Sequence, residues 1–207
     1  KGDYVKLGQL IGDSDAEISC PVHASVSGTV KAVEPRWNQN GTRELSVVIE
    51  NDFEDRRFEE CFPREKDMKR LSPEDIVDGA RRYGIVGMGG AGFPLHAKLR
   101  AAIDSKVDTL IINGAECEPY VTCDHRAMIE YPRYIVGGIL LIMRCLGLDS
   151  AILAIEKNKP DAINSMKITS EDTGITVAEL ETKYPQGGEK QLVYALTGRE
   201  IPPGKLP

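Results

Sequence analysis

Gly87-Met88-Gly89-Gly90-Ala91-Gly92-Phe93-Pro94, with Lys98 four residues further on, holds the residue types that come nearest to chemistry. Four glycines in six residues let the backbone approach a ligand with no Cβ in the way. Pro94 pre-sets the first turn of the helix that follows, and the free N–H groups of such a turn attract an anion. A phosphate-bearing ligand fits this description. Gly87, Gly89 and Gly92 also fit the G-x-G-x-x-G spacing, although only Ile85-Val86 precede them where a full strand is required. Phe93 follows Gly92 where a phosphate-binding Walker loop needs Lys, so that loop is excluded. Taken by itself, a tight glycine turn accounts for the segment equally well.

Two further segments combine with it. An apolar run over Val107–Asn113 empties into Gly114-Ala115-Glu116-Cys117-Glu118-Pro119, with Asp124 beyond. An amide and carboxylates at the end of a buried parallel strand stand where ligand groups are read, so Asn113 and Glu116 are expected to bind. Glu118 is open between a solvated loop acid and a ligand contact, and Asp124 is expected to cap the next helix. Tyr184-Pro185-Gln186-Gly187-Gly188-Glu189-Lys190 again sets a glycine pair before a helix start, where Glu189 is also favourable to the helix dipole. His23, His96 and His125 are too dispersed for a metal site, and no Ser/His/Asp or Cys/His triad emerges from the spacing.

The elements that must position these residues follow from periodicity. Ser72-Pro73-Glu74-Asp75 carries a helix N-cap, a first-turn proline and an acid three residues after the cap; this helix is expected to stop at Gly84. Strands at Ala151–Ile155 and Ile175–Leu180 alternate with helices at Pro132–Leu146, Pro160–Lys167 and Glu189–Thr197. That alternation predicts an α/β parallel sheet. Residues 1–51 instead show short β runs punctuated by glycines, the pattern of a small all-β module. Its Gly2–Gly8 and Val26–Val30 segments resemble barrel-sandwich domains of the biotinyl and lipoyl type, with Lys31 inside a strand run and not at the hairpin tip a carrier needs. Between the two, thirteen of the nineteen residues in 52–70 are charged with both signs mixed, which suits a solvated linker, leaving 71–207 as the α/β domain.

Composition narrows the function classes. With 41% hydrophobic and 28% charged residues the chain is globular, and 26 Lys plus Arg against 32 Asp plus Glu is the wrong balance for gripping nucleic acid. The most apolar stretch, Ile135–Met143, is too short to span a bilayer. Five scattered cysteines without C-x-x-C spacing argue for reduced thiols and against an iron–sulfur cluster within this segment. The chain opens on Lys1 without an initiator Met, so the lack of a signal peptide carries no information.

Gly87–Lys98, Asn113–Pro119 and Tyr184–Leu192 together resemble the flavin- and NADH-binding subunit of respiratory complex I, and more closely the RnfC family of the Rnf electron transport complex. The second likeness extends to Val22–Val30 in the β module and so spans nearly the whole chain. The resemblance implies a Rossmann-like domain holding FMN, with NADH stacking on the flavin. By position Gly87, Gly89, Gly90, Ala91, Lys98, Asn113, Glu116 and Glu189 would contact FMN, while Phe93 and Glu118 would contact NADH. It implies that no protein nucleophile is needed, that two 4Fe–4S clusters belong to the full-length protein alone, and that the partners are ferredoxin and other Rnf subunits. Peripheral attachment to the cytoplasmic side of the bacterial inner membrane goes with it. Ala115, Lys190 and Leu95 depart from the complex I pattern. A corrinoid reductase of microcompartments and a non-catalytic scaffold are the competing readings.

Overall fold

The structure, a computed structural model, describes residues 1–16, 18–59, 70–89 and 91–207. The chain divides into two compact units, Lys1–Ala101 and Ala102–Pro207.

In the first unit, strands β1 (Tyr4–Val5), β4 (Gly28–Trp37) and β5 (Arg43–Asn51) form an antiparallel sheet in the order β1-β4-β5, while β2 (Leu10–Gly12) pairs with β3 (Val22–His23). Val5, Ala24 and Val30 are buried together with Ile11, Val47 and Ile49 against them. So small a core relies on polar ties as well. Asp52 accepts hydrogen bonds from the buried Ser27 hydroxyl and from Tyr4, both at 2.6 Å, which lower its pKa to about 2. Leu7 N donates to Arg56 O and Phe58 N donates to Leu7 O, so residues 52–58 are stitched to the β module and are not a free tether. Residues 60–69 of the charged stretch, Cys61 among them, lie outside the described residues.

Helix α1 (Pro73–Arg82) starts as its sequence predicts. The Ser72 hydroxyl accepts from Asp75 N at 3.2 Å and the Asp75 carboxylate accepts from Ser72 N at 2.8 Å. Ile76, Val77 and Ala80 form its buried face, and Arg81 makes a two-pronged ion pair with Asp13 of the β module. The glycine loop follows. Val86 and Pro94 form an antiparallel bridge, and Gly87 N donates to Phe93 O at 2.9 Å. The loop is thus closed at its neck, a different geometry from the strand-to-helix turn that the G-x-G-x-x-G spacing requires. Helix α2 (Leu95–Asp104) leaves it directly.

In the second unit β6 (Ile111–Gly114), β7 (Ala151–Glu156) and β8 (Ile175–Leu180) make a parallel sheet in sequence order, so the predicted α/β architecture is present. Helices α3 (Cys123–Glu130), α4 (Pro132–Leu146), α5 (Pro160–Thr169) and α6 (Glu189–Thr197) complete it. Side chains alternate across a strand. Leu153 and Ile155 therefore face the large core built by Met128, Val136, Ile139, Met143 and Met166 of α3–α5, whereas Ala154 faces Leu192 of α6. Both faces of β7 are covered, as a nearly unbroken apolar run demands. β6 begins four residues later than its apolar run suggests, because Val107 N turns back to Ala102 O and Asp108 pairs with Thr109 and Arg199.

Candidate functional site

The carboxyl ends of the three parallel strands open on a cleft of about 300 Å³. Its walls are the loop 116–122 after β6, Glu156 at the end of β7 with Asn158 and Lys159 beyond it, and Thr182, Lys183 and Tyr184 after β8.

Beside the cleft lies a buried polar cluster whose organiser is Glu116. Its carboxylate accepts from Lys159 Nζ at 2.5 Å, Asp124 N at 2.9 Å, His125 N at 3.3 Å and Cys123 Sγ at 3.4 Å. Burial pushes the Glu116 carboxyl up, but these four donors pull harder and hold it below the ordinary glutamate range. The two backbone donors are orphan N–H groups of the first turn of α3, so Glu116 caps that helix from seven residues upstream. Asp124, expected to be the cap, is not: the N-cap is Thr122 and no side chain of the N-cap bonds the helix. Asp124 instead has its carboxyl raised by partial burial and then by the charge of Glu116.

Glu156 ends β7 and has no solvent exposure. Its Oε2 accepts from Glu116 N at 3.2 Å, while Oε1 has no hydrogen-bond partner among the described residues. A buried carboxylate oxygen without a donor costs free energy unless something supplies one. Sequence reasoning does not single out Glu156 or Lys159. A carboxylate closing the apolar run Ala151–Ile155 is the signal for the first, and for Lys159 there is none beyond its place before Pro160.

Asn113 stands at the end of β6, where its Nδ2 donates to Gly187 O at 2.9 Å and its Oδ1 accepts from Ala115 N at 3.2 Å. This bond brings the Asn113–Pro119 and Tyr184–Glu189 segments together. A Cβ on Gly187 would stand 3.1 Å from Ala115 O and 3.5 Å from Cys117 Sγ, so the two loops meet at a spacing that suits glycine. Glu118 is exposed on the cleft wall, and Glu189 is exposed as the first residue of α6. Gly87, Gly89, Ala91, Phe93 and Lys98 belong to the first unit and are all exposed, Phe93 by 40%. Gly92 has φ +62°, which favours glycine, and a Cβ on Gly89 would meet nothing within 4 Å among the described residues. Gly90 lies outside the described residues.

A cleft beyond the carboxyl ends of a parallel sheet with helices on both faces is where nucleotide-binding α/β proteins hold their ligands, and the second unit is of that class. Residues 80–207 match the family described as the Nuo51 FMN-binding domain, and the chain belongs to that family. Residues 1–54 match the RnfC barrel sandwich hybrid domain. Among curated relatives, a subunit of the proton-translocating ferredoxin:NAD(+) oxidoreductase complex of Clostridium ljungdahlii is 47% identical over 207 residues, covering 100% of this chain and 45% of that protein. Its counterpart in the Na(+)-translocating complex of Acetobacterium woodii is 45% identical over 208 residues, covering 100% of this chain and 47% of that protein. The chain thus spans less than half the length of these relatives. A chain of an NAD+-reducing [NiFe]-hydrogenase in the H2-reduced state is similar in structure, with a TM-score of 0.56 and 26% identity over 65% of this chain and 26% of that one.

Proposed function

We propose that this chain is the FMN- and NADH-binding part of the RnfC subunit of an ion-translocating ferredoxin:NAD(+) oxidoreductase complex, moving electrons between NAD(H) and ferredoxin. The observation that carries this reading is that the cleft at the strand ends falls inside the segment matching the FMN-binding family. The relatives' names favour it over a corrinoid reductase.

The chain's own features fit a flat, phosphorylated cofactor. A Cβ on Gly89 would meet no described atom within 4 Å, and Tyr120 and Tyr184 line the cleft with exposed rings. Bound FMN would supply the step between hydride and single-electron chemistry. The residue assignments that accompany the reading are Gly87, Gly89, Gly90, Ala91, Lys98, Asn113, Glu116 and Glu189 for FMN, and Phe93 and Glu118 for NADH. Within that set, Asn113 and Glu116 are also bonded inside the chain, which fixes the loops that would meet the cofactor. The same proposal divides the chain into a barrel-sandwich module (1–51), a charged connection (52–70) and the cofactor domain (71–207). It assigns two 4Fe–4S clusters to the part of the relatives this chain does not span. The same reading attaches the chain peripherally, through partner subunits, on the cytoplasmic side of the inner membrane; among the described residues no helix is long and apolar enough to cross a membrane.

The test is to add FMN to the intact protein, record bound flavin absorbance, and then add NADH without oxygen. Bleaching of the flavin band is expected. A protein that takes up no FMN would overturn the reading.

A further inference from the structure

Tyr120 is fully exposed, and its backbone sits in the left-handed region at φ +67°. A bulky side chain is strained there and gains nothing from packing, so the fold holds this ring outward against both tendencies. The strain is maintained by the loop's own anchorage. At one end Glu116 N is bonded to buried Glu156; at the other the Glu116 carboxylate grips Asp124 N and His125 N; within it Val121 N donates to Glu118 O at 3.3 Å. Lys159 pins the same carboxylate from α5's side of the cleft. The loop is therefore a stapled ring of backbone with Tyr120 near its tip, and Tyr120 lines the cleft together with Tyr184, itself 69% exposed.

We infer that Tyr120 is a ligand contact: its ring forms a wall against which the flat aromatic ring of the bound flavin stacks when it occupies the cleft. This rests on the FMN reading above and adds to it the residue that grips the ring. Two exposed aromatic rings lining a cleft of about 300 Å³ offer it apolar faces suited to a planar heterocycle. Stacking needs the π-face of residue 120 and not its hydroxyl, so Phe should serve and Ala or Gly should not.

The experiment measures FMN affinity of the intact protein by flavin fluorescence, alongside the melting temperature of the FMN-free protein, for wild type, Tyr120→Phe, Tyr120→Ala and Tyr120→Gly. Tyr120→Phe is expected to bind within about 2-fold of wild type, while Tyr120→Ala and Tyr120→Gly bind roughly 5- to 100-fold more weakly. Because Gly relieves the left-handed strain, Tyr120→Gly is expected to melt no lower than wild type even as it loses FMN. That split between stability and affinity is what a purely structural residue does not give. The inference is overturned if the Ala and Gly variants bind FMN as wild type does, or if they lose affinity only in step with melting temperature. Failure of wild type to take up FMN would instead sink the FMN reading itself.

Discussion

Replacing Glu116 and Lys159 singly and together offers a measurable account of the buried cluster. Their side chains are 3% and 7% exposed and meet at 2.5 Å, so each desolvated charge depends on the other. Breaking such a pair by removing one member costs about 3–5 kcal/mol, since the remaining charge is left buried. Glu116→Ala also strips two first-turn N–H groups of α3 of their acceptor, adding about 1 kcal/mol as loss of a helix cap does, for a total near 5 kcal/mol. Lys159→Met leaves Glu116 with those same two backbone donors, so its cost falls to the lower end, about 3 kcal/mol. The double variant has no stranded charge and should cost no more than Glu116→Ala alone, giving a coupling of about 3 kcal/mol. Equilibrium urea unfolding followed by circular dichroism reads all four free energies. Additivity within about 0.5 kcal/mol would refute the claim that this ion pair is a coupled unit.

Ser72→Ala should lower stability by about 1 kcal/mol by removing one half of the α1 capping box, visible in the same unfolding assay. Asp52 is held at about pKa 2 by hydrogen bonds from Ser27 and then Tyr4, so its share of stability is complete above the unfolded aspartate value of about 3.9 and is lost as pH falls through about 2. Asp52→Asn should therefore flatten the stability profile across that acid window, as melting scans at successive pH values would reveal. Gly89→Ala should leave the melting temperature within about 2 °C, because the added Cβ meets no described atom within 4 Å, yet should reduce FMN uptake in a binding titration.

The elements with strong local signals are legible from the sequence. Ser72 and Asp75 announce α1, Pro132 and Gly147 bracket α4, and Glu189 and Gly198 bracket α6, because caps and breakers act within a turn. The start of β6 is not legible, because Val107 and Asp108 are diverted by partners elsewhere in the second unit, including Arg199. The site is legible as segments but not as contacts. Asn113 and Glu116 stand out at a strand end, yet spacing gives no hint that Glu116, and not Asp124, caps α3. That bond closes a loop of eight residues onto a helix whose start is not sharply marked. The partnership of Glu116 with Lys159 joins residues 43 apart and is a product of the β6-β7 pairing, which no local pattern encodes.

The double duty of Glu116 has a dynamic consequence. The carboxylate that satisfies the first turn of α3 is the one that fixes the loop bearing Tyr120, so fraying of the helix and opening of the cleft wall are a single event. Amide hydrogen exchange at Asp124 and His125 should accordingly rise and fall with that of the loop, as one cooperative opening unit, and anything that seats a ligand against the loop should slow exchange in the helix beyond it.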